Sequence, residues 1–451
     1  MIDITGVYVT GMKPEDLATK VLSIYFKDEE PSFPIDPFKI IREMGIIYQF
    51  MDFKDLEGIY IVPEDENDIP LIGINFNRPI ARQRYTAAHE ICHHIKDRDS
   101  GVCPIYGRKS LAERYADSFA SELLMPIQYL KQEAEKYALN GKVSLDDALK
   151  IAEHFGTSLQ ATAFSLAYKL EMLDGDTDAN AIKKKIKKYQ PDKKKLEMGL
   201  DTENVILWEQ AVNSYEFFWS VDNKHAWYIF KNDFIYHENR LEKLNLDDDV
   251  VAEIIADLRY NKTDSQYCNE ACDEIIQVAG HSELYDYIYD TDERLEIYKI
   301  QKLHKLFYTY APFPEAGGVY RQSNNFVTEA EFETTDFHDI FTELIKLSLP
   351  MQELVGNLGT MSFSDVIEAS ARIHHGITVI HPFADGNGRC SRAMLNWIFR
   401  LKGLPPVCIK FPEKEEYYEA LKMADSGQGY SKLYKVLMKE SIRSSIKLNQ
   451  I

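Results

Sequence analysis

The sequence predicts two unlike halves: an α+β first half built round a small sheet, and an all-α second half. Three observations predict this. Short β-branched or aromatic runs bounded by turn residues crowd into the early chain: Ile46 to Phe50, Gly58 to Val62 and Pro70 to Phe76. From about Thr202 onward, apolar residues recur mainly at helical spacing. Between the two lies a lysine-dense block, Lys183 to Lys195 around Pro191, a charge run that repels itself and stays solvated. The expected divisions are residues 1–175, a linker at 176–200, and 201–451 with a core at about 290–440.

The 451 residues are enough for two or three domains, each burying a real core. A net charge of −20 argues against general affinity for nucleic acid or anionic membrane. No apolar run is long enough to span a bilayer. Met1-Ile2-Asp3-Ile4 shows no basic region followed by an apolar core, so a cytoplasmic setting is expected. The six cysteines, Cys92, Cys103, Cys268, Cys272, Cys390 and Cys408, form no Cys-x-x-Cys and read as reduced packing thiols. Cys268 and Cys272 read as neighbours on one helix face.

In chain order, Pro14 to Tyr25 and Pro37 to Met44 read as amphipathic helices before the strand-like runs. Then comes Arg82-Gln83-Arg84-Tyr85-Thr86-Ala87-Ala88-His89-Glu90-Ile91-Cys92-His93-His94. The four-residue spacing sets His89 and His93 on one helix face, where both imidazoles can hold one ion. Glu90 can face an open coordination position and move a proton between water and a leaving amine. His94 points about 100° away from His93 and reads as a solvent or outer histidine. The next helix, Leu111 to Met125, carries Glu113 on one side and an apolar stripe of Ala116, Phe119, Ala120, Leu123 and Leu124. Glu122 reads as surface. This half resembles the ImmA/IrrE family of metallopeptidases, in which an Arg-x-x-Phe/Tyr-Thr-x-Ala-His-Glu-x-x-His helix precedes Glu-x-x-Ala-x-x-Phe-Ala-x-x-Leu-Leu-Met-Pro. The resemblance implies that His89, His93 and Glu113 hold zinc and that Glu90 is the catalytic base. Leu145 to Leu173 follows as two helices about Gly156, without a clustered basic face for DNA.

The second half gives helical patterns at Val205 to Trp219, Asp248 to Leu258, Glu270 to Ala279, Leu295 to Phe307 and Phe337 to Lys346. Turn residues between Pro312 and Phe326 suit a small hairpin. Then comes its densest chemistry: His381-Pro382-Phe383-Ala384-Asp385-Gly386-Asn387-Gly388-Arg389-Cys390-Ser391-Arg392. Apolar helical patterns flank it, so the Gly-Asn-Gly turn should open a helix. Unpaired N–H groups and the helix dipole there favour an anion. Gly386 and Gly388 allow close approach, and Arg389 and Arg392 can fork onto phosphate oxygens.

This stretch resembles the Fic-domain family, whose His-Pro-Phe-x-Asp/Glu-Gly-Asn-Gly-Arg-x-x-Arg carries nucleotide transfer, usually of AMP from ATP, onto a protein hydroxyl. The resemblance implies His381 as base toward a Tyr, Ser or Thr hydroxyl. It makes Asp385 a Mg²⁺ ligand, and Gly386, Asn387, Gly388, Arg389 and Arg392 the phosphate site. It also implies a flap that docks the target segment, placed here at Val319 to Val327. Many family members carry an inhibitory Ser/Thr-x-x-x-Glu-Gly/Asn helix. The matching place is Phe234 to Leu246, with Glu242 set to pair with Arg392. Glu238 stands where the pattern has Ser or Thr and Lys243 where it has Gly, so the stretch also reads as an exposed amphipathic helix.

The leading expectation is a bifunctional regulatory or toxin-like protein of a phage-response or stress circuit. It joins an adenylyltransferase using ATP and Mg²⁺ to a zinc peptidase acting on a repressor, an antidote or the transferase itself. The alternatives are an active transferase with a non-proteolytic zinc-stabilised sensor, transfer of another nucleotide, and two ligand-gated interaction surfaces without catalysis.

Overall fold

The computed structural model describes the chain apart from residues 1, 3, 5, 66–67, 99, 106–109, 176–177, 218–223, 243, 245, 261–272, 312, 326–332 and 450–451. Side chains of 224–226, 228–229, 258–260 and 273–276 also lie outside the description. The chain divides into two compact units, Met1–Glu216 and Phe217–Ile451. Among the described residues, no helix is long and apolar enough to cross a membrane.

The first unit opens with α1 (Pro14–Phe26) and α2 (Pro37–Glu43), each with proline in its first turn, where a missing N–H costs nothing. Strands β1 (Ile47–Met51), β2 (Leu56–Ile61) and β3 (Leu71–Asn75) then form, where the β-branched runs predict them. The sheet order is β1-β3-β2-β4, with β1 parallel to β3 and the other pairs antiparallel. Strand β4 (Gly101–Pro104) was not expected. Its four residues have no alternation and end in proline, so only the waiting edge of β2 makes them a strand.

Helix α3 (Ile80–Lys96) lies across this sheet at very close range. A Cβ added to Gly58 would come within 2.5 Å of Thr86 Cγ2 and 2.8 Å of Glu90 Oε1. Buried Glu57 anchors the start of α3, accepting from Arg78 Nε at 3.0 Å and pairing with Arg82 at 3.3 Å. Helix α4 (Leu111–Leu124) packs on α1 and α3 through the predicted stripe, all of it buried. Each large apolar side chain so buried contributes about 1.5–3 kcal/mol.

Beyond these come α5 (Ile127–Tyr137), α6 (Leu145–Phe155) and α7 (Leu159–Tyr168). They share one apolar cluster that includes Leu130, Ile151, Phe155 and Leu166. Glu122 is not a surface residue: it is 3% exposed, accepts from Ile127 N–H at 2.8 Å and pairs with Lys169 at 3.1 Å. It is buried because it satisfies the orphan N–H at the start of α5.

The lysine block folds as α8 (Ala179–Tyr189) and α9 (Pro191–Glu197). Ile182 is buried in the same apolar cluster, and Lys195 is buried with Glu153 and Asn204. Helix α10 (Val205–Ser214), expected with the second half, packs on α2 and α3 of the first unit. Its Trp208 and Ala211 are buried, and the Ala211 carbonyl accepts from Tyr48.

The second unit holds α11 (Lys224–Leu241), α12 (Asp248–Tyr260), α13 (Asp273–Asp290), α14 (Lys299–Phe307) and α15 (Ile340–Asn357). It continues through α16 (Phe363–Ile380), α17 (Asn387–Lys402), α18 (Lys414–Asp425) and α19 (Ser431–Leu448). Helix α17 is the centre. Arg389 through Phe399 is buried without a break, against α13, α14 and α16. Helix α16 starts on a capping box in which Ser362 and Asp365 satisfy each other's backbone N–H.

Val319 to Asn325 takes no strand, and the remainder of the expected flap, Phe326 and Val327, lies outside the described residues, as do Cys268, Cys272 and Lys243.

Candidate functional site

The first unit brings His89, His93 and Glu113 together. The two Nε2 atoms lie 3.1 Å apart, and each stands 3.2 Å from an oxygen of Glu113. Helix α3 supplies both imidazoles one turn apart. Helix α4 supplies Glu113 from its first turn, where the Ser110 hydroxyl accepts from the Glu113 N–H at 3.2 Å. Two nitrogens and a carboxylate all aimed at one point form a donor set suited to zinc.

The outward nitrogens are held as well. His89 Nδ1 meets Asp117 at 3.2 Å, and His93 Nδ1 meets Asp97 at 2.7 Å. Such carboxylates fix the ring and turn the Nε2 lone pair inward. Sequence reading missed both, though each follows a site residue by four positions: Asp97 after His93 and Asp117 after Glu113. His94 is not in the cluster and contacts Tyr60 Oη at 3.0 Å.

Hydrogen bonds from His89 and His93 hold Glu113 well below the usual carboxylate range. Glu90 is 1% exposed, and its Oε1 has no hydrogen-bond partner in its surroundings. Burial pushes its carboxyl up to about 7, against the opposing pull of His89 and His93.

In the second unit, α16 ends at His381, which takes the left-handed conformation at φ 51°. That conformation costs a non-glycine residue about 1–2 kcal/mol, so neighbours must hold it. Arg321 does so: its Nε donates to the His381 carbonyl at 2.7 Å, and its own N–H donates to Pro382 O at 2.9 Å. The same guanidinium donates to Ser323 O at 2.9 Å and to Thr335 O. The ring Nδ1 of His381 faces Thr378 O at 3.3 Å, leaving Nε2 as the lone-pair nitrogen. Burial draws this imidazole below its ordinary pKa and Arg321 adds to the effect, while Thr378, Asp385 and Glu242 oppose it.

The loop after His381 is built by its own side chains. Asn387 Nδ2 donates to Phe383 O and its Oδ1 accepts from Phe383 N–H, both at 2.8 Å. The Asn387 side chain is thereby used within the loop. Phe383 is fully buried and stacks on His304 at 3.9 Å. His304 Nε2 donates to Asp385 O at 3.0 Å, and its Nδ1 accepts from Gly318 N–H at 2.8 Å. Arg321 and His304 thus pin the loop from two sides. Neither stood out in the sequence, because each acts through backbone atoms distant along the chain.

Gly386, at φ 79°, caps α17, whose first intrahelical bond is Cys390 N to Gly386 O at 3.0 Å. The N–H groups of Asn387, Gly388 and Arg389 precede that bond and form the open end of the helix. Arg389 lies 4.4 Å over the Phe307 ring, meets Gln277, and pairs with Asp385 at 3.0 Å. The Asp385 side chain is 68% exposed, so its carboxylate can serve a hard cation.

Arg392 is buried and carries two carboxylates. Glu238 takes its Nε through both oxygens, at 2.9 and 2.8 Å, and Glu242 takes Nη2 at 2.9 Å. Glu242 also lies over the open end of α17: a Cβ on Gly388 would stand 3.3 Å from its Oε1. The segment that presents them is not an exposed amphipathic helix. Phe234, Ile235, Glu238 and Asn239 are all buried, and Lys231 pairs with Asp286 of α13 at 2.7 Å. Glu238 was read only as a departure from a pattern; the fold makes it the closest partner of Arg392.

Among solved structures, the chain is similar to Fic-1 (residues 134–508) from C. elegans, at a TM-score of 0.44 and 19% identity over 72% of this chain and 92% of that one. It is also similar to a Fic domain containing signaling protein from Bacteroides thetaiotaomicron, at a TM-score of 0.40 and 21% identity over 51% and 90%. Among curated proteins, it is 46% identical over 61 residues to "Protein adenylyltransferase Fic" of Nematostella vectensis, and 43% over 63 residues to "Protein adenylyltransferase fic-1" of Caenorhabditis elegans. These matches span 14% of this chain and only 14% and 12% of the two relatives. Family comparison matches residues 43–167 to the IrrE N-terminal-like domain and residues 294–399 to the Fic/DOC family. The chain therefore carries an IrrE N-terminal-like domain in its first unit and a Fic/DOC family domain in its second.

Proposed function

We propose that the second unit transfers AMP from ATP to a Tyr, Ser or Thr hydroxyl of a target protein. The observation that carries this reading is the anion cradle at the start of α17. There an intrinsic carboxylate, Glu242, already lies beside Gly388 and on Arg392. A triphosphate has the charge to take that place, with Arg389 and Arg392 on its outer oxygens. The names of the curated relatives support the same chemistry.

His381 Nε2 takes the hydroxyl proton as the oxygen attacks the α-phosphorus. The bond from that phosphorus to the bridging oxygen breaks, and pyrophosphate leaves. Mg²⁺, when bound at Asp385, supplies charge neutralisation for the phosphates. Label in the α-phosphate of ATP is expected to appear on protein, while γ-label is not. Retention of γ-label would mean phosphoryl transfer and overturn the reading. The same assay with other nucleotides reads the base preference.

The lowered pKa of His381 gives a pH prediction. The imidazole must be neutral to accept the proton, and its folded value lies below the ordinary one. Activity is therefore kept as pH falls through about 6.5, the unperturbed histidine range, and is lost only below it. A profile of kcat/KM against pH tests this; an acidic limb above the ordinary range is the contrary result.

For the first unit we infer a zinc-dependent peptidase acting on a repressor, an antidote or the transferase unit. His89, His93 and Glu113 would hold the ion. Bound zinc supplies a Lewis acid that polarises a carbonyl and acidifies water. Glu90, buried and with an unpartnered oxygen, is placed to accept a proton and pass it to the leaving amine. Glu90→Gln is expected to keep the metal and lose about 10²–10⁴-fold in cleavage. Equal cleavage by both proteins would leave a metal-stabilised binding module instead.

A further inference from the structure

The cradle at the start of α17 turns on one peptide that glycine alone does not secure. Gly386 caps the helix at φ 79°. Glycine takes either sign of φ about equally well, so the residue that permits this turn does not hold it. A flip of the peptide joining Asp385 to Gly386 would reverse the sign of that φ and swing the Asp385 carbonyl round. N–H groups at a helix start attract an anion, whereas a carbonyl oxygen brought among them repels it. His304 of α14 stands against this peptide. Its Nε2 donates to the Asp385 carbonyl at 3.0 Å. A Cβ on Gly386 would stand 3.3 Å from His304 Cδ2 and 3.4 Å from Nε2, so the imidazole lies flush with the turn. Among the described residues the cis peptide is Phe33–Pro34, so the Asp385–Gly386 peptide is trans. In a trans peptide the N–H points opposite to the carbonyl, so the Gly386 N–H is turned away from the buried ring.

The ring is itself fixed. Nδ1 accepts from the Gly318 N–H at 2.8 Å, and a peptide N–H can only donate, so the ring proton sits on Nε2, where the Asp385 carbonyl takes it. The Gly318 carbonyl accepts from Gln301 Nε2 at 3.0 Å, which holds that donor in place. The imidazole is 2% exposed and stacks with Phe383 at 3.9 Å and Tyr308 at 4.5 Å. We propose that His304 is a positioning residue of the transfer reaction, locking the Asp385–Gly386 peptide with its oxygen inward and its N–H toward the phosphates. The inference rests on the reading that the open end of α17 takes the phosphates of ATP. His304 touches no reacting atom and acts through this one peptide. His381 is held separately by Arg321, so loss of the lock is felt in ATP binding more than in the chemical step.

The test is ATP affinity and the initial rate of α-label transfer for the full chain as wild type, His304→Phe and His304→Gln, beside thermal unfolding. Phenylalanine keeps a stacking ring and loses both hydrogen bonds; glutamine loses the ring and keeps an N–H donor for the Asp385 carbonyl. His304→Phe is expected to weaken ATP binding about 10–100-fold, the loss of one hydrogen bond to a charged group, and to raise KM more than it lowers kcat. His304→Gln should bind ATP close to wild type although its unfolding midpoint falls for want of the ring. Affinity and stability then rank the two variants in opposite orders, which a packing role alone does not produce. If His304→Phe binds ATP as wild type does, or folded His304→Gln binds no better than His304→Phe, the lock falls while the cradle stands. Should His304→Phe not fold, His304→Gln decides by its ATP affinity: near wild type upholds the lock, and a loss of tenfold or so overturns it. If wild type neither binds ATP nor transfers label, the transferase reading itself falls.

Nitrogen-15 spectra of histidine-labelled protein at neutral pH give a second readout. The His304 ring is expected to be protonated at Nε2 and bare at Nδ1. The opposite tautomer, which has no proton to give the Asp385 carbonyl, overturns the proposal.

Discussion

Replacing His381 with alanine is expected to remove AMP labelling of target protein while leaving the fold and ATP binding in place. The imidazole is the only group of the loop set to accept the hydroxyl proton: Asp385 pairs with Arg389, and Asn387 is used within the loop. General-base contributions run to about 10²–10⁴-fold, and the loss here should reach that range. The backbone contacts that position residue 381 come from Arg321 and Ile377, not from the ring, so the loop should survive the substitution. Label transfer measured beside ATP affinity separates the effects. Equal labelling by the variant would remove His381 from the chemistry; lost ATP affinity would make it a structural residue of the cradle.

The second large effect is expected at the carboxylates on Arg392, and it has opposite signs for the two. Glu242 is partly exposed, sits just past the end of α11 and occupies the space over Gly388. Glu242→Ala should free Arg392 Nη2 and the helix end for phosphate, raising transfer by about 5–150-fold, the range of ordinary coupling energies. Glu238 is fully buried, and burial pushes its carboxyl up while Arg392 pulls it down. Removing one partner of such a buried pair costs about 3–5 kcal/mol because the other charge is stranded. Glu238→Ala should therefore lower the unfolding midpoint and not simply activate. Initial rates of label transfer and thermal unfolding of both variants check this. Unchanged transfer by a folded Glu242→Ala would show that the carboxylate does not compete with the donor.

The two candidate sites were legible to different depths. In the first unit, the spacing of His89 and His93 set two imidazoles on one face, and the ImmA/IrrE resemblance added Glu113; the three do lie together. Asp97 and Asp117 were not named, because an acidic residue four positions on is common on any helix. Cys103 was read as a packing thiol. It comes beside His89 and Glu90 only because an unpromising four-residue segment pairs with Gly58. In the second unit, the Gly-Asn-Gly turn announced a helix start and α17 begins there. The burial of Glu238, the reach of Arg321 and the two hydrogen bonds of His304 gave no local signal.

Periodicity and turn chemistry by themselves indicated most of the helices, though not α5, α8, α9, α18 or α19, three of the four strands, and the two clusters of reactive residue types. These are properties of neighbours within a few positions, and backbone geometry converts them directly into faces and ends. The tertiary structure alone decided which charges stand opposite one another, where α8, α9 and α10 pack, and that two carboxylates meet on one arginine. Those outcomes depend on which distant surfaces bury each other, and a buried charge takes whatever partner the packing brings within reach.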